Sequence, residues 1–183
     1  MQLAVLINFI FIFIAIVFAV CATPVYILVN VGSDQCYSWW GMWGRCGQFS
    51  TFEYVMYGVP NACNILANRF YVGQALSLTT IGVLVAAFVL QVLNLSKRLW
   101  YFKWIIVGLE YFASATATVV YAVNLDALQG YHCGLRLNDH GWGKGPAFAL
   151  FVCTFVMSFL GASVFTLMEN PYPDEDVVDV EAK

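Results

Sequence analysis

The chain has 183 residues, of which 61% are hydrophobic and 10% are charged, and its mean hydropathy is +0.75. Soluble globular domains carry about a quarter charged residues, so this composition excludes an ordinary soluble fold. The net charge is −3 and the eight Lys and Arg residues are scattered, which excludes the basic patch of a nucleic-acid-binding protein. The expected partner is therefore the lipid bilayer.

The first apolar segment, about residues 3–29, exceeds the roughly 20 residues that a helix needs to cross a bilayer. We interpret it as a transmembrane helix. The alternative is a signal peptide cleaved near Cys21-Ala22, but no basic residue precedes the apolar run and the run is too long. A second span is predicted at 70–95, where the spacing of Gly82 and Ala86 allows close approach of another helix in lipid.

Two further spans are predicted at 104–123 and 146–168. The short connection 96–103 holds three basic residues, and such loops stay on the cytoplasmic side. This orientation places both termini in the cytoplasm and puts two outer loops, 30–69 and 124–145, outside the cell. The predicted fold class is an all-α membrane protein, a four-helix transmembrane bundle.

The bundle accounts for residues 1–168, and a different composition begins after it. Residues 169–183 carry six acidic side chains against one lysine and few apolar residues. Such a segment cannot bury enough apolar surface to fold. We expect an acidic, disordered cytoplasmic tail.

Four of the six cysteines fall in the outer loops, where the environment is oxidising, namely Cys36, Cys46, Cys63 and Cys133. Four cysteines allow three pairings, and the sequence does not choose between them. Cys21 and Cys153 fall within spans and are expected to be unpaired. The one Asn-x-Ser/Thr site, at Asn94, lies at the cytoplasmic end of the second span, so we expect it to stay unmodified.

The stretch from Cys36 to Cys46 concentrates aromatic residues between two cysteines; its inner members are Tyr37, Ser38, Trp39, Trp40, Gly41, Met42 and Trp43. An outer loop of this length cannot build a large core, so crosslinks and buried aromatic rings are expected to order it. We predict that Trp40 and Trp43 form the loop core. Interfacial belt residues are the alternative, and for Trp39 we consider direct contact with a partner.

This stretch resembles the signature of the amastins, tetraspan surface proteins of kinetoplastid parasites, through Cys36, Tyr37, Ser38, Trp40, Gly41 and Cys46. Trp39, Trp43 and Arg45 depart from the usual pattern. Cys63 followed by Arg69-Phe70, and Gly145 to Leu150 at the fourth span, are also similar to that family. The resemblance implies a non-enzymatic plasma-membrane surface protein without a cofactor. Such a protein would act in host–parasite interaction or membrane organisation, with a host-surface or membrane-protein partner.

The segment Gly41 to Cys46 is also similar to the Gly-Leu-Trp-x-x-Cys motif of claudins. That broader resemblance implies a small, disulfide-braced antiparallel sheet in an extracellular cap. By the same analogy, Cys46 pairs with Cys63 and Cys36 pairs with Cys133. It also implies a second functional hypothesis, in which the chain forms a lateral homo-oligomer that organises the membrane or mediates adhesion.

Glu110 is the one acidic residue inside a predicted span, and intramembrane carboxyls are functional candidates because they are costly. On a helix it shares a stripe with Ser114, Thr118 and Tyr121, which could line a polar path. A small transporter or channel subunit that uses Glu110 is therefore the third hypothesis. Helix packing through the same polar residues is favoured over transport.

The second outer loop carries His132, Cys133 and His140, which are ligand types for a metal. A fourth ligand is not evident and Cys133 is needed for the even set of outer cysteines, so a structural role is favoured. The sequence contains no nucleophile elbow, phosphate loop or HExxH motif. We therefore predict neither a metal site nor an enzyme.

Overall fold

The computed structural model describes residues 3–43, 45–46, 52–53, 64–97, 102–132, 134 and 136–167. Four long helices dominate it: α1 (Leu3–Ala22), α2 (Asn64–Lys97), α3 (Lys103–Gln129) and α4 (Pro146–Leu167). Each is long and apolar enough to cross a membrane. The predicted four-helix membrane fold is confirmed. The acidic tail 169–183 lies outside the described residues.

The helices form a closed ring in which α1 packs on α4, α4 on α3, α3 on α2, and α2 less extensively on α1. Many large apolar side chains point outward, whereas the inner faces combine buried large side chains such as Phe165 with small residues such as Ala15 and Ala113. Most of the buried polar side chains also lie inside the ring, among them Asn8, Thr80, Gln91, Glu110, Asn124, Thr154 and Ser158. Lipid is as apolar as the outer faces, so packing of small and polar residues holds such bundles together.

The first helix ends at Ala22, seven residues before the predicted end of the span at 29. Pro24 follows; its ring disfavours helical conformation in the residue before it and removes a backbone donor. The apolar residues beyond it form a strand, β1 (Leu28–Asn30). Twenty helical residues still reach roughly 30 Å, which is the thickness of the hydrocarbon layer.

Helices α2 and α3 exceed their predicted spans, with 34 and 27 residues, or roughly 51 and 40 Å. Helix α2 ends and α3 begins at the inner end of the bundle, where Lys103 Nζ donates a hydrogen bond to Thr166 O of α4. Nearby, Gln91 Nε2 donates to Val5 O of α1. The excess length of α3 therefore projects from the opposite end, and the beginning of the predicted loop 124–145 is helical up to Gln129.

The strands form one antiparallel sheet of the order β4-β3-β2-β1-β5. The other strands are β2 (Gln35–Ser38), β3 (Gly41–Trp43), β4 (Phe52–Glu53) and β5 (Trp142–Lys144). Strand β5 comes from the second loop and pairs with β1, with Val29 opposite Gly143. We call the described residues 23–53 and 130–145 the outer cap. The predicted small sheet is present, and it joins both loops into one unit.

The cap meets α4 at Gly145, whose N–H donates to Ile27 O at 2.6 Å. A Cβ at Gly145 would overlap the carbonyl oxygen of Tyr26, and this neighbour is backbone that cannot rotate away. Only glycine therefore allows β5 to turn into α4 against the chain that leaves α1. This contact explains the glycine at the start of the segment Gly145 to Leu150.

Gly82 and Ala86 do not meet another of the described helices within this bundle. Nothing lies within 4 Å of a Cβ added at Gly82, and both residues are on the exposed face of α2. The close approaches occur at Gly73, beneath Trp39, and at Gly161, beside Asn8 and Glu110. A spacing of four identifies one helical face, but it does not say which face meets a neighbour.

Candidate functional site

The Cys36–Cys46 stretch folds as a hairpin of β2 and β3, in which Cys36 lies opposite Trp43. The amide of Cys46 donates to Asp34 O at 2.9 Å, which brings Cys46 back to the start of the hairpin. Cys36 and Cys46 form a disulfide with a Cα–Cα distance of 5.5 Å, within the range that a disulfide spans.

The pairings of Cys46 with Cys63 and of Cys36 with Cys133, implied by the claudin resemblance, are therefore wrong. The hairpin brings Cys46 to Cys36 locally, with only 10 residues of separation, so no distant partner is required. Cys63 and Cys133 lie outside the described residues, and their disulfide state stays a prediction. Cys21 and Cys153 carry free thiols, as expected.

Trp39 is the side chain that locks the hairpin onto the helices, with 1% of its surface exposed. Its ring meets Phe70 edge-on, with the centroids 5.9 Å apart, and lies over the backbone of Gly73. The hypothesis that Trp39 contacts a partner directly is wrong. Trp40 is half-buried against the same cluster; the side chain of Trp43 lies outside the described part of the chain.

The other signature residues shape the hairpin around Trp39. Ser38 Oγ donates to Gly41 O and accepts from Trp40 N–H, both at 3.2 Å. The Tyr37 ring lies 4.8 Å from that of Trp142 in β5. Burial raises the pKa of the Tyr37 phenol above its usual 10.0, so this ring stays neutral. Met42 contributes its backbone to β3, opposite Tyr37.

Asn30 joins the two outer loops, and no motif in the sequence singles it out. Its Oδ1 accepts hydrogen bonds from the backbone N–H groups of Gly32 and Ser33, at 2.9 and 3.1 Å. Its Nδ2 donates to His140 O at 3.3 Å. An asparagine before a turn commonly bonds in this way, but its link to a residue 110 positions away depends on the sheet topology.

A cluster of charged side chains lies at the outer ends of α2 and α3. Arg69 Nε is 2.8 Å from Asp126 Oδ2, and both side chains are almost half exposed. His132 Nε2 lies 2.9 Å from Asp126 O. His140 is exposed, and within the described residues no three His, Cys, Asp or Glu side chains are grouped to hold a metal. His132 thus contacts the end of α3, whereas Cys133, the third residue of the candidate set, lies outside the described residues.

Glu110 lies in the bundle core, where Asn8 Nδ2 of α1 donates to Glu110 Oε1 at 3.0 Å. Both side chains are fully buried. A Cβ at Gly161 of α4 would be 3.0 Å from Asn8 Oδ1 and 3.1 Å from Glu110 Oε2. Three helices thus converge on this pair. Asn8 was missed by the sequence analysis, although it is the one strongly polar side chain between Leu3 and Val20.

The predicted polar stripe does not act as one unit. Ser114 is buried, but Thr118 lies on the exposed face of α3 and its hydroxyl donates to Ser114 O. Tyr121 packs against Phe148, with the ring centroids 5.6 Å apart. The contact that Glu110 makes is with Asn8 across the bundle, which supports the packing interpretation.

In a comparison with known protein families, the chain matches the model of the amastin surface glycoproteins over residues 13–165. No curated protein and no solved structure matches the chain. The matched region includes the disulfide-closed hairpin, the sheet, all of α2 and α3, and α1 from residue 13 and α4 up to residue 165. The chain therefore belongs to the amastin surface glycoprotein family.

Proposed function

We propose that this chain is a non-enzymatic, multi-pass surface protein of the plasma membrane that presents its outer cap to the host compartment or to neighbouring membrane proteins. The observation that carries the proposal is the docking of Trp39 between the hairpin and α2. This contact, with the disulfide, makes the cap a rigid extension of the bundle. A rigid cap holds its outward loops in a fixed arrangement, which reduces the ordering cost of binding a partner.

Two large apolar side chains of the cap are open to contact. Val31, in the turn between β1 and β2, is 84% exposed, and Tyr131, just after α3, is 73% exposed. Aromatic side chains supply much contact area at low entropic cost. We infer that this end of the molecule offers the partner-binding surface, whereas the signature tryptophan Trp39 supports it from beneath.

The proposed orientation has the cap outside and both termini in the cytoplasm. It is supported by the basic connection 96–103 and by the Cys36–Cys46 disulfide, which suits an oxidising compartment. The start of α1 and the end of α4 lie at the same end as that connection, through the contacts of Val5 and Thr166.

Lysine positions allow this orientation to be tested sharply. Lys144 is the one lysine in the outer loops, whereas Lys97, Lys103 and Lys183 fall at the opposite end or in the tail. A membrane-impermeant amine reagent applied to intact cells should therefore biotinylate the chain, and Lys144→Arg should remove the label. Labelling that persists in Lys144→Arg cells would mean that the orientation is inverted.

Partner contact is tested by Val31→Ser with Tyr131→Ser, compared with the wild-type chain at equal surface level as measured through Lys144. We expect weaker binding of the expressing cells to host membranes. Unchanged binding would remove this surface from the proposal. Because both side chains are largely exposed, these changes should leave the fold intact.

Lateral homo-oligomerisation is the second candidate function, and the exposed Gly82 and Ala86 of α2 favour it. Nothing lies within 4 Å of a Cβ at Gly82 in the bundle, so this face is available to another helix in lipid. Crosslinking should yield oligomers that Gly82→Leu abolishes.

The transporter alternative predicts that Glu110→Gln abolishes solute flux. Normal solute flux in that variant would reject this alternative.

A further inference from the structure

The pair of Asn8 and Glu110 has unused hydrogen-bonding capacity. One hydrogen bond joins Asn8 Nδ2 to Glu110 Oε1. The other oxygen of each group, Asn8 Oδ1 and Glu110 Oε2, is buried and has no hydrogen-bond partner. Both oxygens lie about equally close to one point beside Gly161, at 3.0 and 3.1 Å from the position of a Cβ there. Two acceptors thus face the same place and lack a donor.

The surroundings supply no compensating positive charge. The described parts of α1 and α4 contain no acidic or basic residue; their titratable groups are the thiols of Cys21 and Cys153. On α3, the nearest basic residue is Lys103, seven residues or roughly 10 Å towards the inner end, where it donates to Thr166 O. On α2, Arg69 pairs with Asp126 at the opposite end of the bundle, and the other basic residue, Lys97, is the last residue of the helix at the inner end.

The same region is sealed by apolar side chains. Val5, Ile106, Val107 and Phe165 form a buried cluster on the inner side of Glu110. Tyr111, next to Glu110 in sequence, points outward, and its hydroxyl lies 3.4 Å from Ser163 Oγ. An ionised carboxylate in such a place would be neither paired nor hydrated, which is strongly unfavourable.

We propose that Asn8 and Glu110 form a proton-binding site in which Glu110 carries a proton on Oε2 and donates it to Asn8 Oδ1. Each planar group then gives one hydrogen bond and accepts one, in a closed ring that ties α1 to α3 beside Gly161. The ligand is a single proton from water, and its binding turns the carboxylate into a neutral acid. Small rotations of the two side chains, which already share one bond, complete the ring.

Gly161 is the third element of this site. A methyl group there would lie 3.2 Å from Phe11 Cβ as well as near the two oxygens. The absence of a side chain on α4 lets the acid and the amide meet in the space between three helices. A monovalent cation held by the same two oxygens is the competing occupant, and the test distinguishes it.

The test uses the full chain in lipid nanodiscs at neutral pH. Infrared spectroscopy should show the C=O band of a protonated carboxylic acid in the wild-type chain and its loss in Glu110→Gln. A hydrophobic carbodiimide, which adds to protonated carboxyls, should modify Glu110, as located by mass spectrometry. The carboxyls outside the membrane-spanning helices serve as the internal control.

Substitutions give a second, independent readout. Glu110→Gln keeps one donor and one acceptor facing Asn8, so its melting temperature should equal that of the wild-type chain. Glu110→Ala leaves the buried amide of Asn8 without its partner, and Asn8→Leu leaves the buried carboxyl of Glu110 without its partner. Both variants should therefore have a lower melting temperature than the wild-type chain. If Glu110→Gln fails to fold, the infrared band and the carbodiimide product in the wild-type chain decide.

Three results would overturn the proposal. The first is a carboxylate band in place of the acid band, with Glu110 unmodified by the carbodiimide. The second is a wild-type melting temperature that falls when sodium and potassium are replaced by choline, which would assign the site to a cation. The third is a folded Glu110→Gln variant that melts as low as Glu110→Ala.

Discussion

Replacement of Gly73 by alanine tests how the hairpin is fixed to the bundle. A Cβ at this position would overlap Cη2 and Cζ3 of Trp39 and lie 2.7 Å from Cζ2. Trp39 is 1% exposed and has Phe70 at its edge, so the ring has little room to move. The methyl group therefore forces the indole out of its place or α2 away from the cap.

The expected cost follows from two opposing effects. Overpacking of a well-packed core costs about 1 to 3 kcal/mol, whereas the change from glycine to alanine inside a helix favours the helix by about 1 kcal/mol. We therefore expect Gly73→Ala to lower the free energy of unfolding by up to about 2 kcal/mol. Gly82→Ala, on the same helix with open space around it, should be neutral or stabilising by up to about 1 kcal/mol.

The assay is unfolding of the purified chain by SDS titration against a mild detergent, with tryptophan fluorescence as the signal. Trp39→Phe, which shortens the ring, should recover part of the loss in Gly73→Ala, and this coupling would show that the two residues act on each other. Equal effects of Gly73→Ala and Gly82→Ala would refute the reasoning, because helix propensity alone would then explain both.

Three further predictions concern the cap and its sidedness. The double change Cys36→Ser and Cys46→Ser should destabilise the cap by about 2 to 3 kcal/mol, as expected for a loop of this length. Surface delivery should fall and proteolysis of the cap should be faster. Normal surface delivery would show that the disulfide is dispensable. Gly145→Ala should prevent folding, since its Cβ would overlap Tyr26 O, and a monodisperse variant in size-exclusion chromatography would contradict this. Asn94 is buried at the inner end of α2, so endoglycosidase treatment should leave the mobility of the chain unchanged, whereas a shift would place this end outside.

The four helices were predictable because length and apolar composition alone define a membrane span. The end of α1 was not, since an apolar run suits a buried strand as well as a lipid-facing helix. Pro24 was the local signal for that end. The pairing of β1 with β5 joins the first outer loop to the second. No single segment of the sequence encodes a contact between residues so far apart.

The disulfide and the tryptophans show a different limit. The spacing of cysteines does not fix their pairing, and a tight hairpin made the local pair of Cys36 and Cys46. Which tryptophan turns inward depends on the turn between β2 and β3, so Trp39 rather than Trp40 became the buried anchor. Asn8 and Glu110 meet only because helices far apart in sequence pack side by side.

The central claim is a cap closed by its own disulfide and fixed to a four-helix bundle, and disulfide mapping of the non-reduced protein tests it most directly. Trypsin alone is insufficient, because Cys46 and Cys63 remain on one peptide that ends at Arg69. Additional cleavage after Glu53 separates them. The account predicts that the peptide ending at Arg45, which contains Cys36, is linked to the peptide of Cys46 to Glu53. A link from Cys46 to the peptide of Cys63 would contradict it.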